Sequence, residues 1–230
     1  MRLLEWSFQI PSYHEAGYIC AALFIIPCFP FITSFIDMAK LDLRFGMERL
    51  MYALITIVVV TLTAWVTAMV FHFAPDDFAP MSFHPMVHFL LRVGLSFVGV
   101  FGFALVFNST LRLATFTGII GALCNTLRLE LLDFTSIPVA AAAFIAALTA
   151  GLLASVLNKR QGYPRITITV PSIIIMMPGV YLYRVIYNLG MLNISEAAYW
   201  LSFSSLIIFA LPLGLILARA LTDKDFRYCS

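Results

Sequence analysis

The sequence predicts an all-α polytopic membrane protein of about seven transmembrane helices, and three observations carry that prediction. Of 230 residues, 62% are hydrophobic and 11% charged, against roughly 25% charged in a soluble domain. Mean hydropathy is +0.96. The apolar residues fall into runs near the ~20 residues that a bilayer core requires. Within the run Ile173-Ile174-Ile175-Met176-Met177-Pro178-Gly179-Val180-Tyr181-Leu182-Tyr183-Arg184, a proline and a glycine stand where a spanning helix should be continuous. Proline removes a backbone donor and glycine adds freedom at the same point. Backbone opened in hydrocarbon is tolerated only where protein or a water-filled cavity covers it. A second interruption lies near the start, at Phe24-Ile25-Ile26-Pro27-Cys28-Phe29-Pro30.

Residues 1–17 read as a polar extracytoplasmic segment, with Trp6 and Tyr13 suited to a membrane interface. Glu5, His14 and Glu15 precede the first apolar run and no small-residue cleavage site follows, so no signal peptide is expected. The first span covers 18–36 and holds Pro27 and Pro30. A loop with Asp37, Lys40, Asp42 and Arg44 leads to a second span, 48–73. Together 18–73 form a partial first repeat of two helices. An outer loop, 74–86, carries Asp76, Asp77, Pro75, Pro80 and Pro85 and no Lys or Arg. Residues 87–222 read as a complete five-helix unit, followed by a tail at 223–230.

The spans of that unit are 87–107, 111–132, 138–157, 166–187 and 196–221. In the third, Ala142, Ala146, Ala150 and Ala154 recur every four residues beside Ala143, Ala147, Gly151 and Ser155. Small residues at this spacing let helix backbones approach closely. That helix is expected inside the bundle. Loops after the first, third and fifth spans, with the tail, hold ten cations, from Lys40 to Arg227; the opposite side holds at most Arg2, Arg92, Arg128 and Arg184. The positive-inside rule then puts the N-terminus outside and the C-terminus in the cytoplasm of a bacterial inner membrane.

A shift of 151 residues lays Pro27 on Pro178, Asp37 on Asn188, Leu41 on Leu192 and Glu48 on Tyr199, with no gap between the second and seventh spans. The first and sixth spans are five apart and so cross in opposite directions. The expectation is an inverted repeat, whose substrate sites lie near the midplane on discontinuous helices. Three helices of the first unit are missing from this count, which a partner polypeptide, a truncated form or another assembly would explain.

The candidate substrate-binding residues follow from the breaks: Pro27, Cys28, Pro30, Pro178 and Gly179, against the plainer reading of structural kinks. N–H groups at the start of a half-helix suit a carboxylate, and freed carbonyls before the break suit an ammonium. Tyr183 and Arg184 follow the break, and Arg184 reads either as snorkelling or as a counter-charge. Asn125 and Arg128 make a polar face on one helix. Asp37, with its mate Asn188, is the acidic candidate for proton coupling, against simple helix capping. Asn108 and Arg112 read as a helix end. Tyr181, Tyr183 and Tyr187 do not share a face, so they are not expected to form an aromatic box.

His84 and His88, with His72, Asp76 and Asp77 nearby, read as interfacial residues rather than a metal site. Cys20, Cys28, Cys124 and Cys229 show no metal spacing and read as small apolar residues. The sequence holds no P-loop, no Gly-rich dinucleotide turn and no basic stripe for nucleic acid. No cofactor, no metal, no nucleic-acid partner and no enzymatic activity are expected. The partners expected are the lipid bilayer and a small-molecule substrate, together with a partner subunit or further copies of the chain.

Several short motifs resemble the threonine/serine exporter family. They are Phe103-Ala104-Leu105-Val106-Phe107-Asn108 with Arg112, Gly118 and Gly121 followed by Arg128, and Val170-Pro171-Ser172 through Met177-Pro178-Gly179 to Tyr183-Arg184. Residues 19–72, with Pro27-Cys28-Phe29-Pro30, Asp37-Met38 and Lys40, resemble the end of the family's other domain. There Pro-Gly-Phe-Pro is usual and Cys28 departs from it. The resemblance implies proton-motive-force-linked export of threonine and serine. It also implies a soluble N-terminal domain and ten spans, sometimes split between two polypeptides, the split pairs being linked to dicarboxylate export. The expectation is an exporter of small polar organic solutes working by proton-coupled alternating access. The alternatives are a dicarboxylate exporter subunit needing a partner chain and a non-transporting assembly subunit.

Overall fold

A computed structural model describes residues 27–71 and 84–223. Its elements are α1 (Cys28–Ala39), α2 (Leu43–Phe71), α3 (Pro85–Val106), α4 (Leu111–Phe134), α5 (Val139–Gln161), α6 (Arg165–Ile174), α7 (Gly179–Gly190) and α8 (Ile194–Thr222). No strand occurs among the described residues. Among the described residues, four helices are long and apolar enough to cross a bilayer: Leu43–Thr67 within α2, α3, Val139–Arg160 within α5, and α8. The α6–α7 pair makes a fifth if it counts as one span. The expected total of seven included two more. One was 18–36, of which α1 is the described part. The other was α4, whose Arg112, Asn125, Arg128, Glu130 and Asp133 dilute its apolar character.

Helix ends sit further out than the sequence suggested, because charged residues read as loop are helical. Gly46 N–H donates to Asp42 O at 3.1 Å, and Arg44 pairs with Glu48 one turn on at 3.3 Å. The second helix therefore starts at Leu43 and not near 48. Likewise α5 runs on through Lys159 and Arg160, cations that suit a helix C-terminus, and stops where Gly162 takes φ 73°.

The described residues fall into two compact units. In the first, containing 28–50, 84–177 and 206–223, α4 packs on α3, α5 and α6, and α6 packs on α1, α3 and α5. Close approach needs small residues here. A methyl at Gly121 would sit 2.7 Å from a Val100 methyl, and one at Gly214 would sit 2.7 Å from Phe144 O and 2.9 Å from the Ala147 methyl. Six alanines of the predicted rows, Ala142, Ala143, Ala146, Ala147, Ala150 and Ala154, are completely buried. The interior position expected for this helix is what the structure has.

The second unit contains 51–71 and 178–205. Gly190 lies against the indole of Trp65, which leaves no room for a side chain. Tyr181 stacks on Trp200 with centroids 5.5 Å apart and meets the edge of Phe203 at 4.9 Å.

Candidate functional site

The interruption begins where α6 ends. The chain tightens, Met176 N–H donating to Ile173 O at 2.9 Å and Met177 N–H to Ile174 O at 3.1 Å. Pro178 then brings no N–H. Its φ of −81° and ψ of 49° leave the helical region, and α7 restarts at Gly179. The last carbonyls of a helix carry its negative end and have no partner within the helix. Two residues past the end of α6, a further carbonyl of the interruption is answered by a side chain. Arg128 of α4 donates from Nη1 to Met176 O at 2.9 Å.

The reach of Arg128 follows from how α4 is seated. Gly118 and Gly121 bring it against Phe97 and Val100 of α3, and Ser172 of α6 donates to Thr117 O at 3.3 Å. On the same stretch Asn125 is 9% exposed and donates from Nδ2 to Ser96 Oγ at 2.9 Å. Its Oδ1 is enclosed and, among the described residues, accepts no hydrogen bond; Thr126 Oγ1 and Thr117 Oγ1 are also enclosed without a partner. Enclosed polar atoms normally bond protein, water or ligand. One turn of α4 thus carries a permanent cation and an unmatched acceptor, Asn125 Oδ1. Further along, Arg92 of α3 pairs with Glu130 at 3.0 Å and Asp133 at 2.6 Å.

The other expected residues are placed as follows. Pro27 stands immediately before α1, Cys28 is its buried first residue and Pro30 lies in its first turn, where a missing N–H costs nothing. Phe29 between them meets Phe107 at 5.3 Å. Asp37, in the last turn of α1, pairs through Oδ2 with Arg49 Nη1 at 2.6 Å. At the start of α7 no side chain caps the helix, and Gly179 and Tyr183 are buried. The Arg184 guanidinium sits 4.6 Å from the Trp200 ring centre. Asn188 Nδ2 donates to Arg184 O at 2.8 Å. The structure thus joins Arg128 to the backbone of the interruption, while Asn125 is joined to Ser96 and Asp37 to Arg49.

Four partners escaped the sequence reading: the Met176 carbonyl, Ser96, Arg49 and Trp200. Only the ion pair had a signal, since Asp37 and Arg49 are opposite charges flanking one turn. Of the α7 tyrosines, Tyr181 joins an aromatic cluster with Trp200 and Phe203 of α8. Cys28 and Cys124 are buried free thiols, and Cys20 and Cys229 lie outside the described residues. His84 caps α3, accepting from Met86 N–H at 3.4 Å, while His72, Asp76 and Asp77 are outside the described residues. Among the described residues no three His, Cys, Asp or Glu side chains gather as a metal site.

Two family models match the chain. One, described as "Threonine/Serine exporter, ThrE", matches residues 92–221. The other, also described as a threonine/serine exporter, matches residues 2–72. No curated protein matches, and no solved structure does.

Proposed function

Since the chain belongs to the threonine/serine exporter family and is a membrane transporter of that class, we propose that it exports a small zwitterionic amino acid by proton-coupled alternating access at the interrupted helix. The observation that carries this reading is the hydrogen bond from Arg128 to Met176 O. It ties a guanidinium, always charged and shaped to grip a carboxylate, to the backbone of the interruption. In this mechanism the substrate carboxylate competes with the Met176 carbonyl for Arg128, and the substrate ammonium donates to Asn125 Oδ1. Release of the carbonyl lets the end of α6 rearrange, which couples binding to movement. Freed carbonyls here serve first as ligands of the protein's own cation, a role that the sequence reading gave to the substrate ammonium.

The proton is assigned to Asp37, with Arg49 as the counter-charge that loses its partner on protonation. An amide does not titrate in this range, so Asn188 acts in this reading as a helix-end donor. The excess of Lys and Arg in loops of one side supports an outside N-terminus and a bacterial inner membrane. A partner subunit or second copy of the chain is proposed to take part.

The test is efflux of labelled threonine, serine and succinate from proteoliposomes, with and without a pH gradient, using the chain alone and co-purified with candidate partner chains. Arg128→Lys keeps the charge and loses the planar fork, so efflux should fall at least about tenfold with insertion intact. Threonine or serine efflux insensitive to R128K sinks the mechanism. Succinate as the sole substrate moves the reading to dicarboxylate export. Absence of all three fluxes in every preparation favours a non-transporting assembly subunit.

A further inference from the structure

Helix α6 carries polar groups in a row. Arg165, Thr169 and Ser172, followed by the Met176 carbonyl just past its end, are spaced by four, three and four residues, which aligns them along one side of a helix. Exposure falls along the row: Arg165 is partly exposed, Thr169 is 7% exposed and Ser172 is completely buried. Arg165 and Thr169 line a cleft of about 40 Å³, together with Gly151 of α5 and Leu215 of α8. At its buried end the row meets α4. Ser172 Oγ donates to Thr117 O at 3.3 Å, and Arg128 Nη1 donates to Met176 O at 2.9 Å. All these residues belong to one compact unit.

Two features weaken this seam between α4 and α6. Ser172 Oγ has a second, shorter bond to Ile168 O at 2.7 Å, so its link to α4 can break without stranding the hydroxyl. Thr117 is completely buried, and among the described residues its Oγ1 has no partner. Thr115, Thr149 and Thr169 each donate to a carbonyl of the preceding turn; Thr117 makes no such bond. An enclosed hydroxyl without a partner costs free energy that water or a polar solute repays on entering. From this we propose that the seam between Thr117 and Ser172 is a gate, through which a small amino acid passes between Arg128 and the cleft at Arg165. The proposal rests on the reading of Arg128 as the carboxylate site. Once a carboxylate takes Arg128 from Met176 O, the longer of the two cross-seam bonds remains. Ser172 then falls back on Ile168 O, and water or the solute's own hydroxyl meets Thr117 Oγ1. Binding at the interruption thereby opens the row toward the cleft.

Two measurements test the gate. In the full chain in detergent, Ser172→Cys is labelled with a water-soluble methanethiosulfonate and the modified peptide is followed by mass spectrometry. Saturating threonine should speed this labelling about fivefold, and Arg128→Lys should remove the acceleration. Thr117→Val keeps the shape and deletes the unpartnered hydroxyl. Its thermal stability should match or exceed wild type, while threonine efflux from proteoliposomes falls about fivefold. A purely structural Thr117 would leave efflux unchanged. Labelling of S172C indifferent to threonine, or wild-type efflux in T117V, overturns the gate; threonine export that persists in those experiments leaves the Arg128 reading standing. Accelerated labelling in a chain that exports nothing keeps the gate and rejects the transport reading. If both acceleration and export are lacking, both fall. Should Ser172→Cys fail to fold, efflux in T117V decides alone.

Discussion

The stretch Cys28–Phe71 and the stretch Gly179–Thr222 have one backbone and two chemistries. Each is a helix of 12 residues followed by one of 29. Each turns on a leucine in the left-handed region, Leu41 at φ 64° and Leu192 at φ 59°. In each turn the bonds repeat at the shift of 151: Leu41 N–H to Met38 O and Leu192 to Leu189, Asp42 to Asp37 and Asn193 to Asn188. A non-glycine residue there costs about 1–2 kcal/mol; the same pair of bonds also ends α3 at Asn108, so the turn is a common helix ending that here recurs on leucine at the shift of 151. The side chains differ at the points that carry charge. Arg49 of the first copy corresponds to Trp200 of the second. In the first copy the long helix supplies the cation and Asp37 receives it. In the second the short helix supplies it, as Arg184, and Trp200 receives it. The turn is set by backbone geometry, and that geometry leaves the electrostatics free to reverse.

Four perturbations probe how far the likeness goes. The largest effect is expected from restoring continuity. Pro178→Ala with Gly179→Ala should cut efflux at least about tenfold while membrane insertion stays intact, whereas Pro27→Ala with Cys28→Ala should cost less. Equal losses would make the two breaks functionally equivalent. Next, Gly190→Ala drives a methyl into Trp65 and should destabilise by about 1–3 kcal/mol in thermal unfolding. Its counterpart Ala39 is exposed, and Ala39→Gly should cost about 1 kcal/mol or less. Third, Asp37→Asn breaks a pair whose arginine is half-exposed, so its stability cost should be below about 1 kcal/mol. Its readout is therefore transport: efflux in D37N should lose its dependence on the pH gradient. Smallest, Leu41→Gly and Leu192→Gly each relieve a left-handed residue and should stabilise by similar amounts, at most about 1 kcal/mol. A gain in one copy only would break the likeness at its turn.

The sequence revealed the break at Pro178 and the buried rows of α5, because each depends on residues close along the chain or on a fixed periodicity. Charged helix ends were misread as loops, since Arg44, Lys159 and Arg160 look the same in a loop and on an exposed helical turn. The contact between Arg128 and Met176 O was hidden for a deeper reason. It joins residues 48 apart, and a carbonyl exists at every position, so nothing marks the one that matters. Asn125 with Ser96 and Arg92 with Glu130 and Asp133 were hidden likewise.

The length of α6 has an electrical consequence. Its ten residues rise about 15 Å, half of the ~30 Å hydrocarbon core. If α6 starts at the membrane surface, the carbonyl that Arg128 holds lies about halfway through the membrane field. An elementary charge carried from there to either face then crosses about half the voltage, worth roughly 1 kcal/mol for each 100 mV. A zwitterion released there carries no net charge through that field, whereas a dicarboxylate would, so the voltage dependence of the release step distinguishes the two substrates.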